Sequence, residues 1–139
     1  MRTLILVFAS FLFITACKRN NPFSACEKKV KTDAELYKTI NTSNYMITDA
    51  KINGDCLEIK FGASGCNSKT WVVELVNANI RLDSNPGHLF IKLELTNTEL
   101  CAAAFQKTVS FDIRSLKVEG TKKVYLNLEG FSQALLYNY

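Results

Sequence analysis

From Tyr45 onward apolar and polar residues alternate with a period of two, which predicts half-buried β-strands rather than helices. Met46, Thr48, Ala50 and Ile52 face opposite Ile47, Asp49 and Lys51, and Leu57, Ile59 and Phe61 face opposite Glu58 and Lys60. Trp71, Val73 and Leu75 oppose Val72 and Glu74, while Leu89, Ile91, Leu93 and Leu95 oppose Lys92 and Glu94. The pattern returns in Val109, Phe111 and Ile113, in Val124, Leu126 and Leu128, and in a last run, Ala134 to Tyr137. Turn-forming clusters separate the runs: Asn53-Gly54-Asp55, Gly62-Ala63-Ser64-Gly65, Asp83 to Gly87, Glu119-Gly120 and Glu129-Gly130. About seven strands with one apolar face each predict an all-β domain, an antiparallel β-sandwich, with a small barrel as the competing way to bury the same faces.

The stretch before Tyr45 carries a different signal. Thr32-Asp33-Ala34-Glu35 fits a helix capping box, and Val30, Ala34 and Tyr37 fall on one helical stripe. A short helix within 32–40, or an extended segment pairing with the sheet, is expected there. Ala102-Ala103-Ala104 favours helix in isolation, but its flanks and the run from Phe105 to Ile113 read as strand.

At the N-terminus Arg2 precedes an apolar run from Leu4 to Ile14, shorter than the ~20 residues a bilayer span needs. Ile14-Thr15-Ala16-Cys17 follows, and this tetrapeptide resembles a bacterial lipobox. The resemblance implies removal of residues 1–16 as a signal peptide and acylation of Cys17, which makes membrane lipid the first expected partner. Residues 17–31 carry Lys18, Arg19, Lys28, Lys29 and Lys31 against Glu27, whereas 32–139 is nearly balanced. The expected organisation is therefore a basic tether, 17–31, followed by a single domain, 32–139. Each Lys or Arg beside an anionic surface adds on the order of 1 kcal/mol to membrane attachment. Surface-exported lipoproteins of the Bacteroidetes often carry an acidic run after the cysteine. Cys17-Lys18-Arg19-Asn20-Asn21-Pro22 has none. The expected address is the cell envelope, at the periplasmic face of the outer membrane.

Four cysteines remain: Cys26, Cys56, Cys66 and Cys101. An even number in an exported chain invites two disulfides, and four cysteines allow three pairings. Cys66 follows the Ser64-Gly65 turn and Cys101 lies between two strand-like runs, so both sit at element ends where distant segments meet. Cys66–Cys101 is the favoured bridge, and Cys26–Cys56 would then pin the N-terminal segment to the body.

Composition narrows the chemistry. The 139 residues include 17 basic and 13 acidic side chains, 47% apolar residues and one histidine, a globular balance that suits one domain. No basic and aromatic cluster points to nucleic acid. Zinc is not expected, because CxxC spacing is absent and only His88 could join a metal set. Asp49, Asp55, Asp83 and Asp112 are too scattered for a calcium loop, which crowds oxygen ligands into one segment. His88 lacks a nucleophile pattern beside it and reads as a turn residue. No catalytic residue and no cofactor are assigned. Trp71 shares a face with Val73 and Leu75 and is expected in the core.

Gly54-Asp55-Cys56-Leu57-Glu58-Ile59, Ser64-Gly65-Cys66, Trp71 to Leu75, Leu100-Cys101-Ala102-Ala103 and Ser110-Phe111-Asp112-Ile113 with Leu116 resemble small uncharacterised Bacteroidetes lipoproteins. They are also distantly similar to the β-sandwich domain of NigD-like lipoproteins. The resemblance covers roughly residues 45–139 and implies an outer-membrane-associated β-sandwich with no known catalytic residues. The NigD-like pattern often shows two glycines before the cysteine, where this chain has Ser64-Gly65.

The expected function is non-enzymatic binding or structural association in the envelope, with another envelope protein or a glycan as partner. Asn85, Pro86 and His88, in the Ser84–His88 loop, are the candidate binding residues, since sandwich end loops commonly meet partners. Two alternatives make different demands. A chagasin-like protease inhibitor would present such loops in a row. A carbohydrate-binding lipoprotein would align Tyr45, Phe90, Tyr125 and Tyr137 on one exposed face.

Overall fold

The structure, a computed structural model, describes residues 26–139. Eight strands form one sheet: β1 (Lys28–Thr32), β2 (Met46–Asn53), β3 (Cys56–Gly65), β4 (Val72–Leu82), β5 (His88–Thr96), β6 (Ala103–Asp112), β7 (Lys123–Leu128) and β8 (Leu135–Asn138). Their spatial order is β2-β3-β6-β1-β4-β5-β7-β8, and the edge strands β2 and β8 approach each other. The fold is all-β, as expected, but it is a single rolled, barrel-like sheet rather than two facing sheets. Leu57, Phe61, Leu75, Ile91, Phe111 and Tyr137 fill its interior and exclude solvent completely. Burying one apolar face per strand sets the alternation equally in a sandwich and in a barrel, which is why periodicity leaves the two open.

The sheet is also mixed rather than purely antiparallel. Lys28 and Lys29 of β1 pair in parallel with Phe111 and Asp112 of β6. Val30, Lys31 and Thr32 pair in parallel with Leu75, Val76 and Asn77 of β4. β5 and β7 are parallel as well, joined by a connection long enough to pass through β6. One strand thus joins two halves of the barrel. This corrects the expected domain boundary, because residues 28–31 belong to the sheet and not to a tether. Only Val30 of β1 turns toward the core.

α1 (Ala34–Thr39) follows at once, with Asp33 rather than Thr32 as its cap: the Leu36 N–H donates to Asp33 Oδ1 at 2.9 Å. The helix lies over β4, so Val76 and Ala78 are buried on the face that alternation would leave wet. Gly54 takes φ +59° in the turn between β2 and β3, where a side chain would be strained.

Two disulfides fasten opposite ends of the barrel. Cys26–Cys56 ties the start of β1 to the start of β3, with Cα atoms 5.7 Å apart. Cys66–Cys101 joins the segments flanking the far end of the β3–β6 ladder, with Cα atoms 4.9 Å apart. Beside the second bridge, Glu99 Oε2 accepts the backbone N–H groups of Cys66, Asn67 and Ser68 at 2.6, 3.1 and 3.2 Å. The Thr70 hydroxyl donates to Oε1 at 2.7 Å. Desolvation alone would raise the Glu99 pKa, but these four donors outweigh it and hold the carboxyl at about 2. At the other end the Arg114 guanidinium hydrogen-bonds Asp112 and brings that carboxyl to about 2.

Three outcomes are expected. Replacing Cys66 and Cys101 together by serine should keep the fold and lower unfolding free energy by roughly 3–4 kcal/mol in denaturant titration. Gly65→Ala should cost about 1–3 kcal/mol, since a Cβ there would lie 2.4 Å from Glu99 Oε2 and 2.9 Å from Trp71 Cζ2. Both depressed carboxyls contribute stability that is present above their unfolded values, 4.5 for Glu99 and 3.8 for Asp112, and lost as pH falls toward about 2. Urea midpoints should therefore fall within that acid window, and Glu99→Gln should flatten the fall.

Candidate functional site

At the barrel end that carries Cys26–Cys56, β4 runs past its pairing with β1 and bulges between Asn77 and Arg81. Asn79 takes φ +57° there, and its N–H is caught by Asn77 Oδ1 at 3.3 Å. Beyond the bulge the chain projects as an arm, Ile80 to Asp83, and returns through the Ser84–Gly87 loop into β5. Facing it is the segment from β6 to β7, which turns through a 3-10 helix, Arg114–Leu116. A cleft of about 420 Å³ opens between the arm and this segment. Arg81, Asp83, Ser84, Asn85 and Gly87 form one wall; Glu119, Thr121 and Lys123 form the other, with Val118 and Val124 supplying apolar contact. A second groove of about 290 Å³ adjoins it through Arg81 and Val118, and includes Ile80, Leu89, Leu116 and Lys117.

Local hydrogen bonds hold both walls. Ser84 Oγ donates to the Pro86 carbonyl at 2.7 Å across a cis Asn85–Pro86 peptide. Arg81 is paired with Asp83 at 3.1 Å. On the opposite side the Val118 N–H donates to the Tyr139 hydroxyl at 2.8 Å, and the Thr121 and Tyr139 hydroxyls share a hydrogen bond of the same length. The Tyr137 hydroxyl donates to Asp55, which also pairs with Lys117 at 2.9 Å. The Tyr137 hydrogen bond first, and then Lys117, lower the Asp55 pKa. Asp55, Asp83 and Asp112 are thus each engaged in a contact that holds a loop. The lining offers hydroxyls, an amide and charges of both signs around apolar contact, a surface suited to association.

The structure splits the residues singled out from sequence. Asn85 lines the cleft, and Pro86 shapes its wall through the carbonyl that Ser84 binds. His88 turns elsewhere: it is the half-buried first residue of β5, stacked on Tyr125 with centroids 4.9 Å apart and hydrogen-bonded to Asn127. Cys17 lies outside the described residues. Among the described residues no three His, Cys, Asp or Glu side chains gather to hold a metal. Trp71 is a core residue, as expected, packed on Phe61. The aromatics proposed for a carbohydrate face are not on one face. Tyr137 is wholly buried and Tyr45 reaches inward to the Leu93 carbonyl at 2.5 Å, while Phe90 and Tyr125 are half-buried on the outer surface. Sequence reading missed the second wall. Val118, Thr121 and Lys123 flank Gly120 and resemble an ordinary turn, and only the long β6–β7 crossover brings them to the loop.

No protein-family model matches the chain, and no curated protein matches it. Solved structures do. A protein of unknown function, DUF1344, from Bacteroides vulgatus is 16% identical over 81% of this chain and 57% of its own, with a TM-score of 0.52. A NigD-like immunity protein from Bacteroides caccae is 10% identical over 79% of this chain and 58% of its own, with a TM-score of 0.55. The chain thus spans less than two thirds of the length of either. At these identities the likeness is one of fold, and in fold the chain is distantly similar to the NigD-like proteins.

Proposed function

We propose that this chain is an envelope lipoprotein, anchored through acylated Cys17, that acts by non-enzymatic binding or structural association. Its contact surface is the barrel end formed by Arg81–Gly87 and Val118–Val124. The observation that carries this reading is the cleft itself: the loop suited to contact on sequence grounds is one of its two walls, at the end where the chain enters the barrel. The ionisable side chains support it. Asp55, Glu99 and Asp112, whose pKa values are lowered, bind loops and cations of the scaffold rather than converging on the cleft. A protein of the same fold is named an immunity protein rather than an enzyme, which is in keeping with association.

Mass spectrometry of the mature protein should show an acylated N-terminal Cys17, and Cys17→Ala should move the chain out of the membrane fraction. Paired exposed substitutions in the two walls, Asn85→Glu with Lys123→Glu, should leave stability within about 0.5 kcal/mol. The same pair should reduce cross-linking of the anchored chain to its surroundings in native envelopes about fivefold. Undiminished cross-linking would remove the cleft from the proposal, and a hydrolytic activity abolished by His88→Ala would overturn the non-enzymatic reading.

A further inference from the structure

The covalent path from Cys17 into the barrel restricts which end can meet a membrane. Eight residues lie between Cys17 and Cys26, so the two can be at most about 30 Å apart when the chain is fully extended. Cys26 is bonded to Cys56 at the start of β3, so the chain enters at the cleft end. The ten residues of β3 carry the opposite end, with Cys66–Cys101 and Glu99, roughly 30 Å further away.

Two features of the near end complement an anionic lipid surface. Past the bulge Ile80 and Leu82 are 52% and 53% exposed on a strand that pairs on one side only, since β1 stops opposite Asn77. Around them the acidic residues Asp55, Asp83 and Asp112 are matched by Lys117, Arg81 and Arg114. The exposed Lys28, Lys29, Lys122 and Lys123 then stand against Glu27 and Glu119. Exposed apolar residues also occur at the far end, at Leu100 and Met46. Among the described residues, only the near end combines them with surplus lysines and with the disulfide next to the anchor segment.

From this placement we infer that the barrel end carrying Ile80, Leu82 and the lysines Lys28, Lys29, Lys122 and Lys123 rests on the anionic bilayer surface beside the anchor. The inference deepens the proposed function and rests on it, because it names the bilayer as what this end contacts. Acyl chains fix distance but not orientation; a basic patch with two apolar side chains adds the orientation. The far end then points away from the membrane.

Lysine footprinting on the acylated protein tests this. The mature protein is reconstituted in phosphatidylglycerol-rich vesicles or in pure phosphatidylcholine vesicles and labelled briefly with an amine-reactive acetylating reagent. Acetylation of Lys122 and Lys123 should fall about fivefold on the anionic vesicles alone, and return at high salt. Lys69, in the loop after β3, should label equally on both. Ile80→Ser with Leu82→Ser should keep the protein anchored and folded while weakening the protection. Equal labelling of Lys69 and Lys123 on both vesicle types would overturn the inference. So would protection that needs an added envelope extract, which would assign the surface to a protein partner. An unacylated Cys17 would instead overturn the anchor, and the same footprint with added vesicles would still read the docking surface.

Discussion

The barrel depends on where five mostly charged residues lie. β6 and β4 each need a neighbour, and β1 serves both, giving Lys28 and Lys29 to the first and Val30 to Thr32 to the second. Without it two rows of backbone donors and acceptors inside the sheet would lose their partners, a cost that packing elsewhere could hardly offset. β1 buries little apolar surface of its own, so it is held from its ends. Cys26–Cys56 fixes where it starts, and the Asp33 N–H donates to the Asn77 carbonyl at 3.1 Å where it stops. α1 then lies over β4 and covers the junction from outside.

The two ends of the barrel are stabilised by carboxylates in different ways. Glu99 closes the far end by occupying a nest of backbone N–H groups, where among the described residues it meets dipoles and a hydroxyl but no cation. Asp55 and Asp112 close the near end through Lys117, Tyr137 and Arg114. The same contacts that lower these pKa values fix the 65–70 loop and the 112–118 segment. A perturbed carboxylate is often a sign of catalysis, but here the perturbing groups are the scaffold's own loops and cations.

Much of the fold was legible because strand alternation reports which face is buried. β3, β5 and β7 obey it closely, whereas a bulge between Ile47 and Asp49 breaks it in β2, burying Ile47 with Ala50 and leaving Met46 exposed. The turns at Gly54, Gly120 and Gly130, all with positive φ, fall where sequence placed them. Alternation reports neither direction nor neighbour, so the parallel β1 and β5–β7 pairings were hidden. β1 itself was hidden by charge: in Lys28-Lys29-Val30-Lys31-Thr32 one apolar residue is too weak a signal, and the run resembles a tether. At the site, Asn85 was legible from its turn, whereas His88, counted with the same loop, already belongs to β5 and faces Tyr125. The opposing wall could not be read because a long crossover carries it there.

One glycine joins the sequence pattern to the far-end geometry. The NigD-like pattern often has two glycines before the cysteine, and this chain has Ser64-Gly65. Ser64 is exposed, so a side chain there costs nothing in packing. Gly65 is buried under the Trp71 ring and against the Glu99 carboxylate, at the last rung of the β3–β6 ladder. The two positions therefore differ in tolerance for a physical reason. Only the second allows an indole and a carboxylate to close over the backbone, and that closure brings Glu99 within reach of the N–H groups that follow.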